Sequence, residues 1–210
     1  MRYLSLFLLI NTLFLTSIAQ NTFEGTIEFK KIKKGKSSSY IYYVKGDIIR
    51  LEEYGPSKTI VDIALIDLKK KKVFLISPER ESYMVLQPAH SSKNMANTRV
   101  EMKSERKTVL NHECKKWVVS NQDLNAKVTY WVTKGNYDFF VELLGVLRRK
   151  DYHSLFFQQV PEAVGFFPMQ SLWTDMNGVE RERLEVVSIK PHVIHGNLFT
   201  IPPGYSEIKN

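Results

Sequence analysis

Between Thr22 and Gln87 the chain reads as six short strands in succession, joined by turns too brief for anything but an antiparallel return. In Thr22–Ile32, Phe23, Gly25, Ile27 and Phe29 fall on one face and Thr22, Glu24, Thr26, Glu28 and Lys30 on the other. That period belongs to a strand with one buried and one wet side. A polar stretch at Lys33–Ser39 leads into Tyr40–Lys45, and Gly46-Asp47 suits a two-residue hairpin loop with glycine first. Ile48–Tyr54, Thr59–Leu68, Val73–Ser77 and Ser82–Gln87 complete the set. Several of these strands are apolar on both faces, so both faces need cover. A helix can serve one; more chain, or a ligand, must serve the other.

Pro88–Thr98 reads as a loop or a short helix, after which strands are predicted at Arg99–Leu110, Glu113–Asn121 and Lys127–Thr133. One segment is plainly helical. Phe139, Phe140, Leu143, Leu144 and Leu147 make an apolar stripe, Asn136 or Asp138 can cap it, and Arg148, Arg149 and Lys150 suit the negative end of its dipole. The stretch 155–168 is aromatic but broken by Pro161, Gly165 and Pro168, which predicts an irregular plug or lid. Met169–Met176 and Val179–Lys190 flank Asn177-Gly178, a strong hairpin signal. The expected fold is α+β and mainly β: eleven strands in an antiparallel sheet packed on one main helix, as a single domain over residues 20–210.

Residues 1–19 predict a secretory leader, with Arg2 at the start, an apolar core running to Leu15, and Ser17-Ile18-Ala19 as the cleavage site before Gln20. The mature chain then has 191 residues, enough for one sizeable core. No cysteine closes the leader, so lipoprotein acylation is not expected. Cys114 is the single cysteine, so no internal disulfide can form. The net charge of +8, or +7 without Arg2, suits anionic envelope surfaces such as lipid head groups. Lysines 30–36 and 69–72, read as turn residues, also solubilise loops and blunt strand edges.

The sequence carries no phosphate-binding glycine loop and no Gly-x-Ser-x-Gly elbow, and it gives no ground to expect a cofactor. His192-x-x-His195 lies in a loop without a paired carboxylate, which is poor metal chemistry. His90 and His153 read as solitary and solvated. Export and the lack of a basic stripe with stacking aromatics argue against nucleic acid. What remains is a surplus of apolar side chains on sheet faces and in 155–168. The expected apolar contacts are Phe156, Phe157, Val164, Phe166, Phe167, Tyr43 and Trp131.

Four segments carry a resemblance: Phe23-Glu24-Gly25-Thr26-Ile27-Glu28-Phe29, Tyr43-Val44-Lys45-Gly46-Asp47-Ile48-Ile49-Arg50, Cys114-Lys115-Lys116-Trp117, and Phe199-Thr200-Ile201-Pro202-Pro203-Gly204-Tyr205. They resemble an uncharacterised family of exported bacterial proteins, known as a domain of unknown function and similar in shape to the lipoprotein carriers LolA and LolB. The resemblance implies a curved half-barrel wrapped around helices, an apolar concavity, a periplasmic home, and lipid or lipoprotein handling. It supplies no catalytic residues. Three functions follow as expectations: a non-catalytic carrier or chaperone for an apolar ligand, an envelope interaction module with a self-filled core, and a hydrolase with a dispersed site. N-terminal sequencing of the exported protein should begin at Gln20; a retained Met1 would contradict the leader.

Overall fold

A computed structural model describes residues 22–86 and 95–209. The leader with its cleavage site, the end of the sixth strand at Gln87, and His90 lie outside the described residues, as does most of the 88–98 stretch.

Among the described residues, twelve strands form one open, curved sheet. The first six run as a meander: β1 (Gly25–Lys33), β2 (Lys36–Lys45), β3 (Ile48–Tyr54), β4 (Ile60–Asp67), β5 (Lys72–Ser77) and β6 (Ser82–Val85). A second meander comprises β7 (Arg99–Val109), β8 (His112–Asn121), β9 (Ala126–Lys134), β10 (Phe166–Thr174) and β11 (Glu180–Pro191). The two join where β1 pairs antiparallel with β11, and the order across the sheet is β12-β6-β5-β4-β3-β2-β1-β11-β10-β9-β8-β7. At this seam Gly25 has φ 148°, and a Cβ built there would stand 2.2 Å from the carbonyl oxygen of Lys190. No larger residue fits without moving backbone. The twelfth strand, β12 (Ser206–Glu207), pairs parallel with β6, a departure from the all-antiparallel expectation.

Two helices lie on the concave face. α1 (Phe139–Leu147) matches the apolar stripe and buries Phe139, Phe140, Leu143 and Leu144. Asp138 occupies its N-cap position without a capping side-chain bond, and Arg148 ends it in a left-handed conformation at φ 46°. α2 (Tyr152–Phe157) runs into the start of the 155–168 stretch expected to be irregular. Asp151 explains it: its Oδ1 accepts the Ser154 amide at 2.9 Å, the bond of a true N-cap. α1 packs toward β4 and β5 and α2 toward β8, β9 and β10, leaving the centre of the concave face between them. Among the described residues no helix is long and apolar enough to cross a membrane.

The convex face of β3–β6 is covered by chain. After β11 the segment 192–208 crosses it as a strap. Glu24 Oε1 accepts the Ile194 amide at 2.9 Å, Lys45 Nζ donates to the Ile194 carbonyl at 2.6 Å, and Arg50 Nη1 donates to the Leu198 carbonyl at 3.1 Å. Phe199, Ile201 and Tyr205 then pack on Ile63, Leu65 and Ile76. The strap also covers a buried ion pair, Arg50 Nε to Glu52 Oε1 at 2.7 Å.

The Asn177-Gly178 turn is longer than the expected two-residue loop. Pairing stops at Thr174 and Glu180, and Asp175 builds the loop between them. Its Oδ1 accepts the amides of Asn177 at 3.1 Å and Val179 at 2.8 Å, while Gly178 takes φ 87°. Truncation after Pro191 should expose Ile63, Leu65 and Ile76. It should lower the Tm by several degrees and raise binding of a hydrophobic dye; an unchanged Tm would show that the strap contributes nothing to the fold.

Candidate functional site

Along β1 the concave face continues past Phe29 to Lys31 and Lys33, because the strand runs on into the segment expected to turn. Both lysines belong to the strand and line a cleft, which corrects their reading as turn residues. Tyr40 and Tyr42 stand beside them on β2, with Phe29 stacked on both rings at 5.0 Å between centres. Leu184 and Glu182 come from β11 and Ser171 from β10. Phe140 and Leu144 of α1 form one wall; Asp151 and His153, at the start of α2, form the other; Arg149 lies in the link between the helices. These groups enclose a cleft of about 200 Å³. A smaller space of about 40 Å³ adjoins it, bordered by Phe167 and Val186.

His153, which the sequence suggests is solvated, is instead 4% exposed. Its Nδ1 contacts the Ser171 hydroxyl, its Nε2 stands 3.6 Å from Glu182 Oε1, and its carbonyl accepts the Tyr130 hydroxyl at 2.7 Å. Nε2 makes no hydrogen bond. Glu182 is also buried, and its Oε2 pairs with Lys33 Nζ at 3.3 Å. Burial pushes the His153 imidazole below its ordinary value. The Asp151 and Glu182 carboxylates pull it back up, and Lys31 adds to the depression. Burial likewise raises the phenols of Tyr42 and Tyr130.

Serine, histidine and glutamate in contact raise the question of a hydrolase. Ser171 is 2% exposed and sits mid-strand, paired with Tyr130 on β9 and with Leu184 on β11. A nucleophile needs an accessible oxygen, with donors placed for the oxyanion. This hydroxyl is a fixed partner of the buried imidazole.

The seven side chains expected to bind ligand do not converge. Phe156, Phe157 and Phe167 lie in the core, where Phe157 meets Trp117, Tyr130 and Phe140 at ring separations of 6.0, 5.4 and 5.2 Å. Phe166 packs at the edge of that cluster, 4.8 Å from Trp117. Val164 is 61% exposed. Tyr43 and Trp131 face the convex side, Trp131 beneath Lys107 Nζ at 4.3 Å. None of the seven lines the larger cleft, and Phe167 alone borders the smaller. Sequence reading missed Lys31, Lys33, Arg149, His153 and Glu182. The period-two run Phe29-x-Lys31-x-Lys33 was the available signal for the first two. Cys114 is buried beside the His112 carbonyl, and burial raises its thiol. Among the described residues no three His, Cys, Asp or Glu side chains gather as metal ligands.

An open, strongly curved sheet with helices in its hollow and a cleft between them defines the class. The chain belongs to the family described as a domain of unknown function (DUF4412), whose profile matches residues 23–205. An uncharacterised conserved protein from Thermus thermophilus shares the fold, with a TM-score of 0.56 and 11% identity over 89% of this chain and 91% of that one. MucB in the MucA/MucB complex of Pseudomonas aeruginosa scores 0.48 at 9% identity, over 86% of this chain and 56% of its own. A DUF1329 family protein from Desulfovibrio piger scores 0.39 at 10% identity, over 86% and 91%. No curated protein matches the sequence.

The depressed imidazole gives stability a sign with pH. The unfolded chain takes up this proton near the ordinary histidine value of about 6.5, whereas the folded protein resists it to lower pH. Stability is therefore lost as pH falls through that range. Thermal unfolding between about pH 7 and pH 5 should show a Tm loss that is smaller in His153→Gln; identical slopes in the two proteins would contradict the assignment.

Proposed function

We propose that this is an exported, non-catalytic binding protein or chaperone that holds the apolar part of a ligand in the cleft between α1 and α2. The observation that carries this reading is the wall of Phe29, Tyr42, Phe140 and Leu184 around a cavity of about 200 Å³ that the core leaves unfilled. Concave, mostly apolar sites with a few polar groups are the usual form of small-molecule sites. The leader expected at residues 1–19 supports a place outside the cytosol, where lipids, acyl chains and lipoproteins are available.

A specific observation favours a second reading. Most of the concave face is filled by the chain's own Phe139, Phe140, Leu143, Phe156 and Phe157. The cleft between α1 and α2 is smaller than the roughly 300–1,000 Å³ that encloses a whole drug-sized ligand. An envelope interaction module with a self-filled core would look like this. The carrier reading therefore requires a ligand that enters in part.

The two separate experimentally. Protein purified without detergent from its native envelope should yield an amphiphile on extraction and mass analysis. Leu184→Trp, which extends a half-buried side chain into the cleft, should lower uptake of a fluorescent acyl probe several-fold while the Tm stays near that of the parent. Full uptake by the folded variant contradicts the carrier. Bare polypeptide by native mass spectrometry, with a protein partner recovered by crosslinking, supports the module.

A further inference from the structure

We propose that the ligand of this cleft carries one anionic head group, held by Arg149 and Lys31. The inference rests on the carrier reading and adds the chemistry of the head.

Five formal charges line the cleft: Lys31, Lys33, Arg149, Asp151 and Glu182. Two of them are internally satisfied, because Glu182 is paired by Lys33 at 3.3 Å. Asp151 is committed to α2: Oδ1 accepts the Ser154 amide at 2.9 Å and Oδ2 the Ser154 hydroxyl at 3.1 Å. Lys31 and Arg149 are left over. Neither makes an ion pair among the described residues, and both are half-buried. Lys31 Nζ stands 5.3 Å from the centre of the Tyr40 ring. Burial is the largest single effect and works against its charge, but the Tyr40 hydroxyl, Glu182 and Glu53 together outweigh it, the two carboxylates from outside pairing distance. Arg149 lines the cleft together with Tyr40 and Tyr42.

A half-buried cation with no directly paired carboxylate has lost hydration without the full return of a contact ion pair. Two of them over an aromatic floor are completed by one anion. The guanidinium fork matches two oxygens of a carboxylate or a phosphate, and the ammonium supplies a further donor. The adjacent apolar wall takes the chain that the head group trails. A cavity of about 200 Å³ suits a head and the first part of one chain, with the rest leaving by the mouth. Carboxylate and phosphate share this chemistry, so a fatty acid and a phosphorylated lipid are the two sources to separate.

The test compares decanoate, decyl phosphate, 1-decanol and decyltrimethylammonium by calorimetry at low salt, on the parent protein and on Arg149→Gln. The anionic probes should bind about tenfold or more tightly than 1-decanol. Arg149→Gln should remove most of that preference while leaving the alcohol unchanged. Lys31→Gln is the second variant and should remove part of the preference, with circular dichroism confirming that both fold. Decyl phosphate above decanoate assigns a phosphate ligand and the reverse assigns a carboxylate; both outcomes support the inference. Equal binding of decanoate and 1-decanol, a preference for the cation, or a preference left undiminished by Arg149→Gln overturns it. In those cases 1-decanol still binds and the carrier reading stands. If no probe binds, both fall together.

Discussion

Cover on both faces of β3, β4 and β5 is the constraint on which the rest of the structure depends. Ile49, Leu51, Ala64 and Ile66 belong to the concave core, while Ile63, Leu65 and Ile76 form a second cluster on the other side. A sheet of this kind is unstable with either face wet, since each buried aliphatic side chain contributes about 1.5–3 kcal/mol. The concave side is closed by α1. The convex side is closed by the C-terminal strap, whose path is set by polar contacts at Glu24, Lys45 and Arg50 before its aromatic residues reach the second cluster. The parallel pairing of β12 with β6 follows from that path, because the strap arrives at the sheet edge already running in the direction of β6.

The site is what this covering leaves behind. α1 is drawn toward β4 and β5, and α2 toward β8–β10, so neither helix sits over the seam of β1 and β11. Along that seam the side chains change from apolar to charged: Ile27 and Phe29 give way to Lys31 and Lys33, and Val186 and Leu184 to Glu182. Burying this end completely would demand partners for every charge. The structure pairs Lys33 with Glu182, uses Asp151 as a cap, and sets Ser171 against His153. Lys31 and Arg149 face the remaining space without a directly paired carboxylate, and a cleft persists there rather than a closed core.

Strand placement was largely legible because period-two patterning and turn residues agree locally. β3 matches its expected bounds, α1 carries the expected apolar stripe, and most other strands match within a few residues. The need for cover on both faces was also legible, although not that 192–208 would provide it. The proline-rich tail has no periodicity, and its role depends on contacts far away in sequence. α2 was lost because six residues are too few to show a helical period. The site fared worst for a related reason. Lysines after a strand read as a turn, and a lone histidine reads as solvated, until the register of β1, β10 and β11 places them together. Aromatic content, the signal that singled out Phe156 and Phe157, identifies a core as readily as a pocket.

The most direct test of the account is a crystal structure of the protein purified from its native envelope without detergent. The account predicts density for a bound molecule between α1 and α2, with its polar end against Arg149 and Lys31 and its apolar end against Tyr42 and Phe140. A cleft closed by its own side chains, with the Arg149 guanidinium paired to a protein carboxylate, would contradict it.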